Sequence, residues 1–241
     1  MDRWLFIHIM KTAGTSFRTM LEETSEAAIY PTKEELERHP KRWYLTAPEL
    51  LERIERGEID LSARRFLCGH YAADLTHYLP GPWRTVTFLR DPVRRSLSMI
   101  AHRHVKGSRL NRFLKPNVSK YLDEEDFVER QIRNYQTKVF ALDGRGNVNH
   151  AYPIDEAAFE RAKARLTEID FVGLTERYAE SIRLLEAMSG IKFAALAHEN
   201  KSRGYAASEA ELDRIRALVP YDIALYEIAS RKLRAQLGAA A

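Results

Sequence analysis

The sequence predicts an α/β fold, a doubly wound and mostly parallel sheet flanked by helices, as a single domain over residues 1–241. Three observations point there. Short apolar runs alternate with amphipathic helical stretches, several of those runs end directly at a helix-start signal, and 241 residues with 45% apolar content suffice for one sizeable core. The predicted strands are Trp4 to Ile9, Phe66 to Cys68, Thr85 to Leu89, Phe171 to Leu174 and Phe193 to Leu196. Helical periodicity covers Ser16 to Glu23, Ala47 to Arg56, Pro92 to His104, Glu125 to Gln136, Asp155 to Leu166 and Ala179 to Met188. Two further helices, Ser208 to Leu218 and Tyr221 to Leu237, are separated at Pro220. Ala28 to Arg42 and Gly107 to Tyr121 lack periodicity and are expected as surface loops or lids.

The first strand runs into the turn M-K-T-A-G-T-S before Phe17, Met20 and Leu21 resume an apolar helical pattern. A strand entering a small-residue turn at a helix N-terminus suits a phosphate or sulfate: backbone N–H groups converge, the helix dipole favours an anion, and Lys11 adds a full charge. The turn is P-loop-like but inverted relative to G-x-x-x-x-G-K-[ST], because Lys11 and Thr12 precede Gly14, Thr15 and Ser16. The competing reading is an ordinary connection in which Thr15 or Ser16 caps the helix.

A second anion site follows the third strand, in F-L-R-D-P-V-R-R-S-L-S. Asp91-Pro92 is a helix start, with Asp as N-cap and Pro at N1. Arg90 therefore stands at a strand's carboxyl end, where open α/β sheets place ligands. Arg94 and Ser98 are four residues apart on one helix face.

The two stretches together resemble the donor motifs of sulfotransferases that use 3′-phosphoadenosine 5′-phosphosulfate (PAPS), most nearly the carbohydrate-type family that includes heparan sulfate 2-O-sulfotransferase. The resemblance implies that Lys11, Thr12, Gly14, Thr15 and Ser16 bind the 5′-phosphosulfate and that Arg90 and Ser98 bind the 3′-phosphate. It implies no metal. Met10 and Ala13 depart from the family pattern, which has proline and glycine there; alanine suits the turn only if its φ is negative. The polar run Asn200-Lys201-Ser202 falls where relatives approach the donor.

Gly69-His70 ends the second apolar run and lies between the donor motifs. A hydroxyl acceptor needs a base, and an imidazole is suited to that role. The resemblance makes His70 that base, although the family's second histidine is replaced here by Cys68. The carboxylates of Asp74 and Asp91 are rivals, with Asp91 better explained as a cap.

Net charge is +4, and between Arg90 and Pro116 eight Lys or Arg face a single acid, Asp91. Such a patch suits a multiply anionic donor and an acidic acceptor; no nucleic-acid motif accompanies it. One cysteine excludes an internal disulfide, and neither a signal sequence nor a membrane-length apolar run is present, so a cytoplasmic enzyme is expected. His102 and His104, two apart, face different sides of a helix and are not read as metal ligands. The expected function is sulfuryl transfer from PAPS to a hydroxyl, most simply on a carbohydrate. The alternatives are an ATP-dependent P-loop-type kinase and a non-catalytic protein that binds PAPS or polysaccharide.

Overall fold

Five short strands form one all-parallel sheet in a computed structural model that describes residues 2–38, 44–108, 111, 114–194 and 207–239. They are β1 (Trp4–Ile7), β2 (Ile29–Tyr30), β3 (Phe66–Gly69), β4 (Arg84–Leu89) and β5 (Phe171–Leu174), in the spatial order β2-β3-β1-β4-β5. The strands are mostly apolar because helices flank the sheet and bury their side chains, with Thr85 and Thr87 of β4 the buried polar exceptions; Leu5, Ile7, Leu67 and Val172 have no exposed surface. The chain leaves β1 outward to β2, returns to β3 beside β1, and then crosses to β4 on the other side. That reversal beside β1 is a topological switch point, and the register aligns Ile7 with Gly69 and with Thr87. The segments leaving β1, β3 and β4 therefore emerge together.

Helices α1 (Gly14–Ser25), α2 (Lys33–Arg38), α3 (Ala47–Glu55) and α4 (Pro92–Gly107) belong to the first half of the chain. In the second half come α5 (Val118–Leu122), α6 (Glu125–Gln131), α7 (Tyr135–Ala141), α8 (Glu156–Glu168), α9 (Tyr178–Ser189), α10 (Glu209–Leu218) and α11 (Pro220–Ala239). Their starts follow the capping rules. Thr46 and Ser208 form capping boxes with Glu49 and Glu211, and the Asp91 carboxylate accepts the Arg94 N–H at 2.8 Å. Buried side chains form two clusters. The larger packs around the sheet; the smaller joins Met99, Ile100, Val118, Phe127, Ile132, Ile215 and Val219 from α4, α5, α6, α10 and their ends.

Several expectations need correction. The stretch Ala28 to Arg42 is not simply a loop: it contains the edge strand β2 and the helix α2. The loop expected over Gly107 to Tyr121 already becomes helix at Val118. The helix expected over Glu125 to Gln136 is two helices, interrupted where Asn134 adopts φ 43°, the left-handed region that asparagine tolerates better than most residues. No strand begins at Phe193; residues 193 and 194 are irregular, and 195 and 196 lie outside the described residues. Among the described residues no helix is long and apolar enough to cross a membrane.

Candidate functional site

The turn after β1 alternates in handedness. Lys11 and Ala13 have φ of 71° and 67°, whereas Thr12 and Gly14 do not. Alternation of this kind curls successive N–H groups around a concavity that accepts an anion. Ala13 thus occupies the conformation in which alanine is strained, so this departure from the family pattern is not neutral for the turn. Helix α1 begins at Gly14, with the Phe17 N–H bonded to the Ala13 carbonyl at 3.1 Å. Thr15 and Ser16 therefore lie inside the first turn and neither is the N-cap.

Two arginines hold the turn's carbonyls from outside. Arg95 Nε donates to the Met10 carbonyl at 3.1 Å, and Arg90 Nη1 donates to the Lys11 carbonyl at 3.3 Å. Because a trans peptide places its N–H opposite its C=O, the N–H groups of Lys11 and Thr12 face away from those guanidiniums. The Thr12 hydroxyl, buried, donates to the Ile9 carbonyl at 2.9 Å, so it braces the turn and leaves its backbone N–H as the group for a ligand. Gly14 is required by space: a Cβ there would sit 1.9 Å from the His8 ring.

Lys11 is half-buried. Burial lowers its pKa, and Arg90, Arg95 and Lys106 lower it further. Three cations thus act on Lys11 at the carboxyl end of β1, an effect that a bound anion would relieve. Arg90 is anchored at its backbone: Gln136 accepts its N–H at 3.0 Å and donates to its carbonyl at 2.9 Å. Ser98 is buried two turns into α4, whereas Arg94 is exposed, so the two do not share one environment.

His70 follows β3 and joins this site through β1. Its Nδ1 lies 2.6 Å from the His8 carbonyl. A carbonyl only accepts, so Nδ1 carries the proton and Nε2 keeps its lone pair. Burial lowers the His70 pKa to about 4, with Lys106 acting in the same direction and the bond to His8 opposing. Neutral at physiological pH, His70 can take a proton. Its ring centroid is 4.5 Å from that of His8, so a second imidazole does stand beside it, contributed by β1's exit and not by position 68. Cys68 is fully buried in β3, where burial pushes its thiol up to about 12.

The rival carboxylates are engaged elsewhere. Asp74 pairs with Arg165 at 3.0 Å and His77 at 2.9 Å, in a recess shared with Thr85 and Asp170 at the amino end of β4. That is the opposite end of the sheet from Lys11. Asp91 is the α4 cap. His104 is buried against the Tyr121 hydroxyl at 3.0 Å, and among the described residues no group of His, Cys, Asp or Glu is arranged to hold a metal ion. Asn200, Lys201 and Ser202, with Arg109 and Arg112 of the basic patch, lie outside the described residues.

Lys11 meets Arg90 at its carbonyl, and Gly14 and His70 both lie against His8. Sequence reasoning missed His8, Arg95 and Gln136, which act through backbone carbonyls and amides. The one available signal was Arg95 inside R-D-P-V-R-R, one of the eight basic residues of the Arg90 to Pro116 patch; it is completely buried, its guanidinium 4.1 Å from the centre of the Tyr135 ring. No protein-family model matches this chain, and no curated protein matches it.

Proposed function

We propose that the protein transfers the sulfuryl group of PAPS to a hydroxyl acceptor, for which the resemblance favours a carbohydrate. The observation that carries this reading is the cationic, alternating-handed turn at Lys11 with a neutral imidazole, His70, beside it at the end of the next strand. The turn's N–H groups and Lys11 would hold the 5′-phosphosulfate, and Arg90 with Ser98 the 3′-phosphate. The acceptor oxygen forms a bond to sulfur while the bond from sulfur to the bridging phosphate oxygen breaks. The acceptor's proton passes to His70 Nε2, and Lys11 offsets the charge that develops on the departing phosphate. The reading includes a cytoplasmic enzyme that uses no metal.

Transfer of ³⁵S from labelled PAPS to hydroxyl compounds tests the proposal. Lys11→Ala is expected to lower kcat by about 10²- to 10³-fold, the scale for losing one group that stabilises developing negative charge. His70→Ala is expected to lower it by about 10²-fold or more, with donor affinity retained. Activity unaffected by either change would overturn the assignment of roles.

A further inference from the structure

We propose that Tyr44 is a positioning residue for His70. With the His8 ring it fixes the plane of the imidazole and keeps water from it, so that Nε2 stays set to receive the acceptor's proton. This rests on the sulfuryl-transfer reading for the origin of that proton, and adds to it a ring supplied from outside both donor motifs. The bond from His70 Nδ1 to the His8 carbonyl holds one atom of the ring. The terminal torsion of a histidine is broad, so one hydrogen bond leaves the ring free to tilt. His70 is only half-buried, and packing on its covered side has to supply the remaining restraint.

That restraint comes from two rings. The centroid of His8 lies 4.5 Å from that of His70 at an interplanar angle of 39°, and the centroid of Tyr44 lies 5.0 Å away at 88°. Tyr44 also meets His8 edge-on at 5.9 Å, so each of the three rings contacts the other two. His8 is set in turn by its own neighbours. It stacks on Phe6 at 5.4 Å, and it closes so tightly on Gly14 that no Cβ fits between them. Its Nδ1 makes no hydrogen bond among the described residues, so this ring serves by packing.

Tyr44 is anchored by two elements. It stands just ahead of α3, where buried Leu45 and the Thr46–Glu49 capping box fix the chain. From α1, the buried Arg18 guanidinium lies 5.5 Å from the centre of the Tyr44 ring, and is itself held by Glu22 at 2.7 Å and by the Pro31 carbonyl. Burial pushes the Tyr44 hydroxyl up to about 12, so it is a neutral phenol and no rival base. The charged groups acting on the two imidazoles are Arg18 of α1, Lys11 of the turn and Lys106 of α4, all cations, with Glu22 paired to Arg18. Those cations oppose an imidazolium with or without Tyr44. The tyrosine adds the exclusion of water, which would otherwise solvate the charged ring.

The test is ¹H–¹⁵N NMR of the His70 imidazole as pH is lowered, on the whole protein, on Tyr44→Phe and on Tyr44→Leu, with the signals assigned by their loss in His70→Gln. In the protein and in Tyr44→Phe, which keeps the ring, the Nδ1-protonated tautomer is expected to persist until pH approaches 4. Tyr44→Leu should raise the midpoint by about one unit or more toward the ordinary 6.5, and mix in the Nε2-protonated tautomer. In the ³⁵S assay it should lower kcat by about tenfold, with affinity for 3′-phosphoadenosine 5′-phosphate retained. If Tyr44→Leu does not fold, Tyr44→Gln is read in its place. A midpoint near 6.5 in the unaltered protein overturns the proposal whatever the variants do, and so does a folded variant lacking the ring in which neither midpoint nor tautomer changes. The expected NMR changes without sulfuryl transfer by any form uphold the role of Tyr44 and overturn the donor reading. Transfer with His70 unmoved by loss of the ring overturns only the role of Tyr44.

Discussion

The 2.6 Å hydrogen bond from His70 Nδ1 to the His8 carbonyl decides which nitrogen can act as a base, and burial decides over which pH range it does so. With a pKa of about 4 in the free protein, His70 stays neutral from pH 8 down to pH 5. A profile of kcat/KM against pH is therefore expected to hold through pH 6 and to fall only as pH approaches 4; an acid limb centred near 6.5 would contradict it. The same shift links to stability. An unfolded imidazole with the ordinary value of 6.5 takes up a proton that the folded protein resists. Stability is thus complete above about pH 6.5 and declines as pH falls toward 4, and His102, lowered to about 4 as well, acts in the same window. Melting temperatures across that range should show the decline, and His70→Gln should reduce its slope. At Ala13 the left-handed φ of 67° predicts that Ala13→Gly relieves strain, raising stability by about 1 kcal/mol in a denaturant titration. Lys11 and Arg90 were legible in the sequence because a charge in a small-residue turn and a charge at a strand end are local patterns. His8, Arg95 and Gln136 were not, because each acts by contacting the backbone of a segment distant in sequence.

Helix α7 illustrates the same limit at the scale of elements. Its start depends on reciprocal caps with α11. The Asp222 carboxylate accepts the N–H groups of Gln136 at 3.1 Å and Thr137 at 2.7 Å, while Asn134 Oδ1 accepts the N–H groups of Tyr221 at 3.0 Å and Asp222 at 3.3 Å. No periodicity in residues 125 to 141 signals that break, since the partner lies more than eighty residues away. Gln136, fixed in this way, clasps the backbone of Arg90 on both sides, so the cap reaches the candidate site. Asp222→Ala is expected to cost about 3 kcal/mol, because two N–H groups in a buried setting lose their acceptor. It should also weaken nucleotide binding, which a cap of purely local effect would leave alone; calorimetry on the folded variant separates the two. Strands β1, β3 and β5 were legible as short apolar runs bounded by turn residues, and β4 by its β-branched and aromatic residues ahead of the Asp91-Pro92 helix start. The edge strand β2 was not, because two residues, Ile29 and Tyr30, carry no period.

Across the whole molecule, the sheet order β2-β3-β1-β4-β5 sets the location of the candidate site. It makes β1 the point where the chain reverses direction across the sheet, and it gathers the turn at Lys11, the Gly69-His70 exit and the Arg90 strand end on one side. The amino ends of the strands hold a different set, Asp74, Arg165 and Asp170, whose charges are already paired among themselves and with Arg84. The two buried clusters divide the labour: the larger supports the sheet and its turns, and the smaller underlies a cleft beside Met10. The most direct test of the central claim, a site built for a nucleotide phosphorylated at both its 3′ and 5′ ends, is isothermal titration with 3′-phosphoadenosine 5′-phosphate and with ATP, on the protein and on Arg90→Ala. The account predicts clear preference for 3′-phosphoadenosine 5′-phosphate and loss of that preference in Arg90→Ala. Preference for ATP, or no binding of either nucleotide, would contradict it.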